Sequence, residues 1–426
     1  MARDVIIHQI NDWSVLNSRD EVWSKVDLST PELNFGIHKF QGRLWSSGYV
    51  GVGRLYDKNG RYLQSSGKEH IVVVNSQYGM EPWHMLETVM TDDEYDDYIA
   101  EMDADGRSLF QVFYDQPLIK LSQDIEQDGE LLYALSFVTS CYGLCKKGLK
   151  KTMFHQEENY SSKVRGKIEI QKNIRMNTCK GRNDRFYCKY IDFTEDNIEN
   201  RILRATLIKC KEIIGRRFPV TSEVSKRVAY CMNSFRRVKT VRIKTSDFNG
   251  ADASGLYMYY KPLLQQARCI YGQKYAYKTE EGQSIAKSVF TIPYMINMEA
   301  LFEFYTRIVL KRAIDSNKYS LDRYSKRLFI QKGVADISEV ERGIHLMPYC
   351  IPDIIIRDND TQNPVAVIDA KYKPNTRSAR ADTHQLLSYV LLTGVKKCGF
   401  AFPGAESKAK IMRSTETAAL PLAVDS

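Results

Sequence analysis

Two short apolar runs, Ile354-Ile355-Ile356 and Val365-Ala366-Val367-Ile368, each carry an acid at the outer end. Asp353 stands just before the first run, Asp369 just after the second, and Lys371 follows two places later. The linker, DNDTQNP at 358–364, is made of turn formers. β-Branched runs on either side of such a linker predict a hairpin, with the ends carrying Asp353 and Asp369 side by side. Strand side chains alternate, so Asp369 and Lys371 share one face, Ala370 points to the other, and its backbone carbonyl remains an oxygen donor. Two carboxylates and a carbonyl form a half-shell of hard oxygens suited to Mg²⁺. A lysine beside it can orient or deprotonate an attacking water, or stabilise charge developing on a phosphate. The chemistry this set fits is metal-assisted phosphodiester hydrolysis. The competing reading is structural: two acids closing strand ends, with Lys371 paired to one of them.

Two features flank this pattern. The stretch NMEALFEFYTRIVLKR (297–312) has its apolar residues at helical spacing, which predicts an amphipathic helix. Within it Glu303 lies between Leu301-Phe302 and Phe304-Tyr305, where an acid is costly unless paired or bound to metal. Glu303 is therefore a candidate further ligand or water-positioning group, with Glu299 one turn earlier as the alternative. A surface glutamate is the plain reading of either. Downstream, ADTHQLLSYVLLTG (381–394) predicts another helix with Gly394 as its C-cap. Gln385 and Tyr389 are four apart on it and share a face, fit to hydrogen-bond a phosphate, to position Lys371, or simply to face solvent.

The chain has 426 residues, 43% hydrophobic and 27% charged, the composition of a globular protein large enough for two or three cores. No run approaches a membrane span of about 18 apolar residues. The first residues do not read as a signal peptide, and the nine cysteines are scattered without a CxxC pair. Cys141 and Cys145 are four apart with no second pair at zinc-ligand spacing, so the expectation is a cytoplasmic protein with reduced thiols. The net charge of +9 is concentrated: residues 141–190 hold 13 Lys/Arg against 4 Asp/Glu, and the rest of the chain is balanced. With Phe154, Tyr160, Phe186, Tyr187 and Tyr190 interleaved, this segment suits a polyanion track as well as a solvated face. Conversely, 91–105 holds eight acids and no base, a solvated helix or loop or a docking patch.

These patterns predict an α/β protein. Residues 1–130 read as a β-rich N-terminal domain, with strands at 70–75 and 109–115 and a hairpin at 54–64 turning on Asn59-Gly60. Residues 131–285 read as a mainly helical, basic middle region, although TVRIKT (240–245) alternates like a strand. Residues 286–426 read as helix, several strands, helix and closing strand.

Pro352-Asp353, Asp369-Ala370-Lys371, the upstream Glu303 and the downstream Gln385 and Tyr389 together resemble the PD-(D/E)xK nuclease superfamily. GLKKTMFHQEENYSSKVRGKIEIQKNI (148–174), EDNIENRILRATL (195–207), MEALFEFY (298–305) and VIDAKYKP (367–374) are similar, in that order, to the McrC family of nuclease subunits of McrBC-type restriction systems. The resemblance implies a restriction-endonuclease-like C-terminal domain, a mixed sheet flanked by helices. It implies catalytic Asp353, Asp369 and Lys371 with Glu303 beside them, Mg²⁺ held by Asp353, Asp369 and the Ala370 carbonyl, and double-stranded DNA as substrate. It also implies a McrB-like AAA+ hexamer as partner, which hydrolyses GTP, is stimulated by docking of this chain, and couples translocation to cleavage. By position in the family, residues 1–130 would contact that ring. The absence of a GxxxxGK[ST] loop agrees with GTP being bound by the partner. Basic residues of the middle region, such as Lys163, Arg165, Lys167, Arg182 and Arg185, would contact DNA or the partner. A stand-alone repair or recombination nuclease, and a non-catalytic activator of an AAA+ GTPase, are the rival readings.

Overall fold

A computed structural model describes residues 5–17, 21–29, 34–78, 82–104, 107–121, 129–251, 253–280, 289–322, 328–329, 349–373 and 380–404. Its architecture is mixed α/β. Among the described residues, no helix is long and apolar enough to cross a membrane.

The first sheet is assembled from distant parts of the chain. Its order is Val5–Asn11, Lys68–Asn75, Tyr49–Arg54, Tyr294–Asn297 and Phe110–Val112. Only the first pair is parallel. Ile71, Val72, Val73 and Val74 are all fully buried, because one face packs on helices and the other on Leu16, Val22, Trp23, Phe35 and Ile37. A strand covered on both faces reads as a continuous apolar run rather than an alternating one. Tyr294–Asn297 leads directly into the Met298–Ala313 helix, whose first turn is capped by Asn297 accepting from the Ala300 N–H at 3.1 Å. The predicted hairpin at 54–64 forms, but only Gly60 takes a positive φ, of 70°. Asn59 is held instead by its N–H donating to Asp57 Oδ1, which also accepts from the Arg61 N–H.

The middle region contains the helices Gly129–Lys147, Ile198–Gly215, Glu223–Ser234 and Lys261–Glu280. Its basic stretch departs from the helical expectation. Thr152–Ser161 and Arg185–Thr194 pair along ten residues as an antiparallel ribbon, with Lys167–Ile168 on its other edge. Thr152–Ser161 is largely open to solvent and Arg185–Thr194 buries only Cys188 and Tyr190, so little apolar alternation marks these strands in sequence. TVRIKT, by contrast, forms no strand: Val241–Lys244 is irregular and a 3₁₀ turn, Thr245–Asn249, follows. Alternation over so few residues describes any extended segment resting on a core, and here Ile243 is the buried member.

The second sheet has the order Tyr319–Leu321, Ile354–Asp358, Pro364–Ala370, Lys397–Ala401. The central pair is the hairpin expected from the linker. Asp358 Oδ1 accepts from the N–H groups of Asp360 and Thr361, and Gln362 adopts a left-handed φ of 58°. Ile355 and Val367 pack on Leu386 and Tyr389 of the Arg380–Thr393 helix. On the other side, Ile368 lines a groove with Phe302 and Tyr305 of the Met298–Ala313 helix.

Candidate active site

The register of the hairpin sets the geometry. Ile354 pairs with Ile368 and Ile355 with Val367, so the next step outward puts Asp353 opposite Asp369. Asp353 turns one oxygen, Oδ2, onto the Ala370 N–H at 2.7 Å. Asp369 is fully buried. Its Oδ2 lies 2.9 Å from Lys371 Nζ as an ion pair. Lys371 Nζ also donates to Gln385 Oε1 at 3.3 Å, Gln385 Nε2 donates to Tyr389 OH at 2.6 Å, and Tyr389 OH donates to the Ile351 carbonyl at 3.0 Å. The helix pair predicted from spacing thus forms a chain of hydrogen bonds that ends on the lysine.

Asp353 and Lys371 open into a cavity of about 700 Å³. Asp353, Ala370 and Lys371 line it from the hairpin, and Glu299 and Glu303 from the Met298–Ala313 helix. Trp13, Arg107 and Gln111 line it from the first sheet and its connections. Asp353 keeps part of its surface toward the cavity but is enclosed on its other sides. That burial, then the charges of Glu303 and Asp369, holds its carboxyl well above the usual range. Burial also raises Asp369, against the opposing pull of Lys371. For Lys371, burial acts downward, but the hydrogen bond and charge of Asp369, with Asp353 and Asp382 behind it, raise the ammonium. Glu299 is recessed enough for desolvation to raise it too, although it faces Lys371, Lys373 and Arg107.

The predicted residues separate into two groups. Asp353, Asp369, Lys371, Glu303, Gln385 and Tyr389 come together at the cavity or directly behind it. Lys163, Arg165, Lys167, Arg182 and Arg185 are exposed on or beside the ribbon, and none lines the cavity. Arg165 pairs with Asp192 at 3.1 Å and lies 4.1 Å above the Tyr190 ring, so it is anchored within the ribbon.

Two residues escaped sequence reasoning. Tyr372, next to Lys371, donates to Asp12 Oδ2 at 2.6 Å and hydrogen-bonds Ser76 at 3.0 Å. Asp12 closes the set by accepting from the Gln77 N–H at 2.9 Å. Burial pushes the Asp12 carboxyl up to about 6 against these hydrogen bonds. The link ties the strand carrying Lys371 to the end of the first strand. A tyrosine continuing the alternation of VIDAKYK was the available signal, whereas Asp12 lies 360 residues away and had none.

The donor set fits a hard divalent cation. Asp353 and Glu303 offer carboxylate oxygen to the cavity, and Asp369 adds a buried carboxylate beside it, held by the Lys371 ammonium.

The family model described as McrBC 5-methylcytosine restriction system component matches residues 113–401. No curated relative matches. Among solved structures, one match is a Thermococcus gammatolerans assembly described as McrB AAA+ hexamers with bound McrC. It is 14% identical with a TM-score of 0.34, covering 92% of this chain and 87% of that one. A second, the cryo-EM structure of the McrBC complex of the same organism, is 13% identical with a TM-score of 0.31. It covers 72% of this chain and 88% of that one.

Proposed function

The chain belongs to the family of McrBC 5-methylcytosine restriction system components, and from that premise we propose that it is the DNA-cutting subunit of such a system, a Mg²⁺-dependent PD-(D/E)xK endonuclease. The observation that carries this reading is the meeting of Asp353 and Lys371 at one cavity wall, with Glu303 in the same cavity and the buried Asp369 ion-paired to Lys371 behind that wall. In this reading Asp353 and Asp369 hold the cation, with Glu303 and the Ala370 carbonyl adjoining. Bound there, Mg²⁺ would supply positive charge to the scissile phosphate and acidify a water.

The chain's own residues do the rest. Lys371 keeps its proton, because Asp369 raises it. That favours a role in orienting the attacking water and stabilising phosphate charge over a role as base. Gln385 and Tyr389 fix the ammonium by the hydrogen-bond chain to the Ile351 carbonyl. Double-stranded DNA is the substrate, and the basic ribbon supplies contacts to it or to the partner. The partner in this reading is a GTP-hydrolysing AAA+ hexamer on which the chain docks and whose hydrolysis it stimulates. The cytoplasm is the setting.

The test is cleavage of methylated and unmethylated plasmid with Mg²⁺, with and without an AAA+ partner and GTP. Asp369→Ala should lower cutting by roughly 10²-fold or more, the scale of losing one major electrostatic group, while the chain still binds the ring. Undiminished metal-dependent cutting by that variant would remove the site from the assignment. Full cutting by the isolated chain without GTP would favour a stand-alone nuclease.

A further inference from the structure

A second cluster of ligand-type side chains lies away from the cavity. Cys141 and Cys145 are one turn apart on the Gly129–Lys147 helix, and Cys231 comes from the Glu223–Ser234 helix packed against it. Their three sulfurs lie within 4.8 Å of one another, and all three residues are buried. Other buried cysteines, Cys188 and Cys210, take no part, so convergence is not a general property of the core thiols.

We propose that Cys141, Cys145 and Cys231 form a thiolate site for a thiophilic cation, zinc, that staples the two helices together. Zinc–thiolate bonds of about 2.3 Å put the sulfurs of a tetrahedral site roughly 3.8 Å apart, within reach of small side-chain rotations here. An all-sulfur set selects a soft or borderline ion over Mg²⁺. The sulfurs already share hydrogen bonds, and those from Cys141 and Cys231 hold the Cys145 thiol below its ordinary value. On metal binding the displaced thiol protons go to solvent. Ser234 hydrogen-bonds Cys145 and is partly exposed, so it marks both the fourth position, for its hydroxyl or a water, and the way in. Arg227, stacked over Tyr95 at 5.3 Å and Tyr142 at 5.5 Å, provides a fixed positive charge near Cys231. The site bears no relation to the hydrolytic chemistry; its consequence is stability of the helical core.

The experiment uses the full chain purified without added metal and dialysed. Metal analysis should find about one zinc per chain, as three buried thiolates hold the ion through dialysis. Replacement by Co²⁺ should give the intense thiolate-to-cobalt absorption that carboxylate sites lack. The band should survive Asp369→Ala and vanish in Cys231→Ser. Chelation should lower the melting temperature of the wild type. Should Cys231→Ser fail to fold, native against denaturing mass measurement of the wild type decides, through one metal mass lost on unfolding. A metal-free chain that takes up cobalt without the band overturns the proposal. So does a disulfide between Cys231 and either partner.

Discussion

Asp353 and Asp369 face each other across a hairpin, with Lys371 ion-paired to Asp369 and a third acid, Glu303, near Asp353. Like charges this close disfavour joint ionisation, and burial adds to the cost. Without a cation, Asp353 therefore holds its proton at pH values where an exposed aspartate has lost it. Divalent cations bind the ionised form, so binding must release that proton while the pH is below the raised value. The expected outcome is Mg²⁺ affinity that rises with pH. Calorimetric titrations in two buffers of different ionisation enthalpy should register proton release, and Asp353→Asn should abolish most of it. Equal heats in both buffers would show that Asp353 is already ionised. Asp369 contributes in the same direction, but Lys371 holds it closer to the ordinary range.

The element that joins the site to the rest of the molecule is the Met298–Ala313 helix. Glu299, Glu303, Arg307 and Lys311 follow one another at four-residue spacing along a slowly turning stripe. The acids at its start point into the cavity, and the bases at its end reach the acidic turn after Met90. Arg307 meets Glu94 at 3.2 Å, and Lys311 meets Asp93 at 2.6 Å and Glu94 at 3.2 Å. Arg307 also donates to the Asp322 carbonyl, and Asp322 accepts from Arg357 at 2.6 Å, so the clamp extends to the hairpin sheet. The order of charge complements the helix dipole. Part of the acidic run 91–105 is thereby committed inside the chain. Arg307 is buried, and Arg307→Ala should cost about 3 kcal/mol, since it strips a buried charge from its partners. A denaturant midpoint that falls at constant slope would bear this out; an unchanged midpoint would mean the clamp is dispensable.

At the scale of the whole molecule, the cavity and the basic ribbon are separate features of one chain. Most of the 141–190 charge sits on the segments that lead into the ribbon and join its strands, and the strands spend part of it internally through Glu157 with Lys172 and Asp192 with Arg165. Lys163, Lys167, Arg182 and Arg185 keep their charge at the surface. Replacing those four by alanine should weaken DNA binding uniformly across sequences and flatten its salt dependence, by about 0.9 in log–log slope for each phosphate no longer neutralised. Filter binding over a salt series checks this. A normal slope with impaired ring binding would assign the ribbon to the partner instead.

Much of the second sheet was legible from residues alone, because its determinants are local. Turn formers at 358–364, β-branched runs and strand alternation decide the hairpin and its register, and with them the meeting of Asp353 with Asp369. Helical spacing likewise determined the direction of Glu303, Gln385 and Tyr389 on their own helices. The ribbon strands were not legible, since between them they bury only Cys188 and Tyr190, which leaves almost no hydrophobic period to read. Nor was the strand Tyr294–Asn297, which completes a sheet begun in a distant part of the chain. Only the tertiary structure decided that Asp12 anchors Tyr372 and that Cys231 joins Cys141 and Cys145. Such contacts depend on which buried faces meet after the chain has closed long loops, and no short-range pattern encodes that choice.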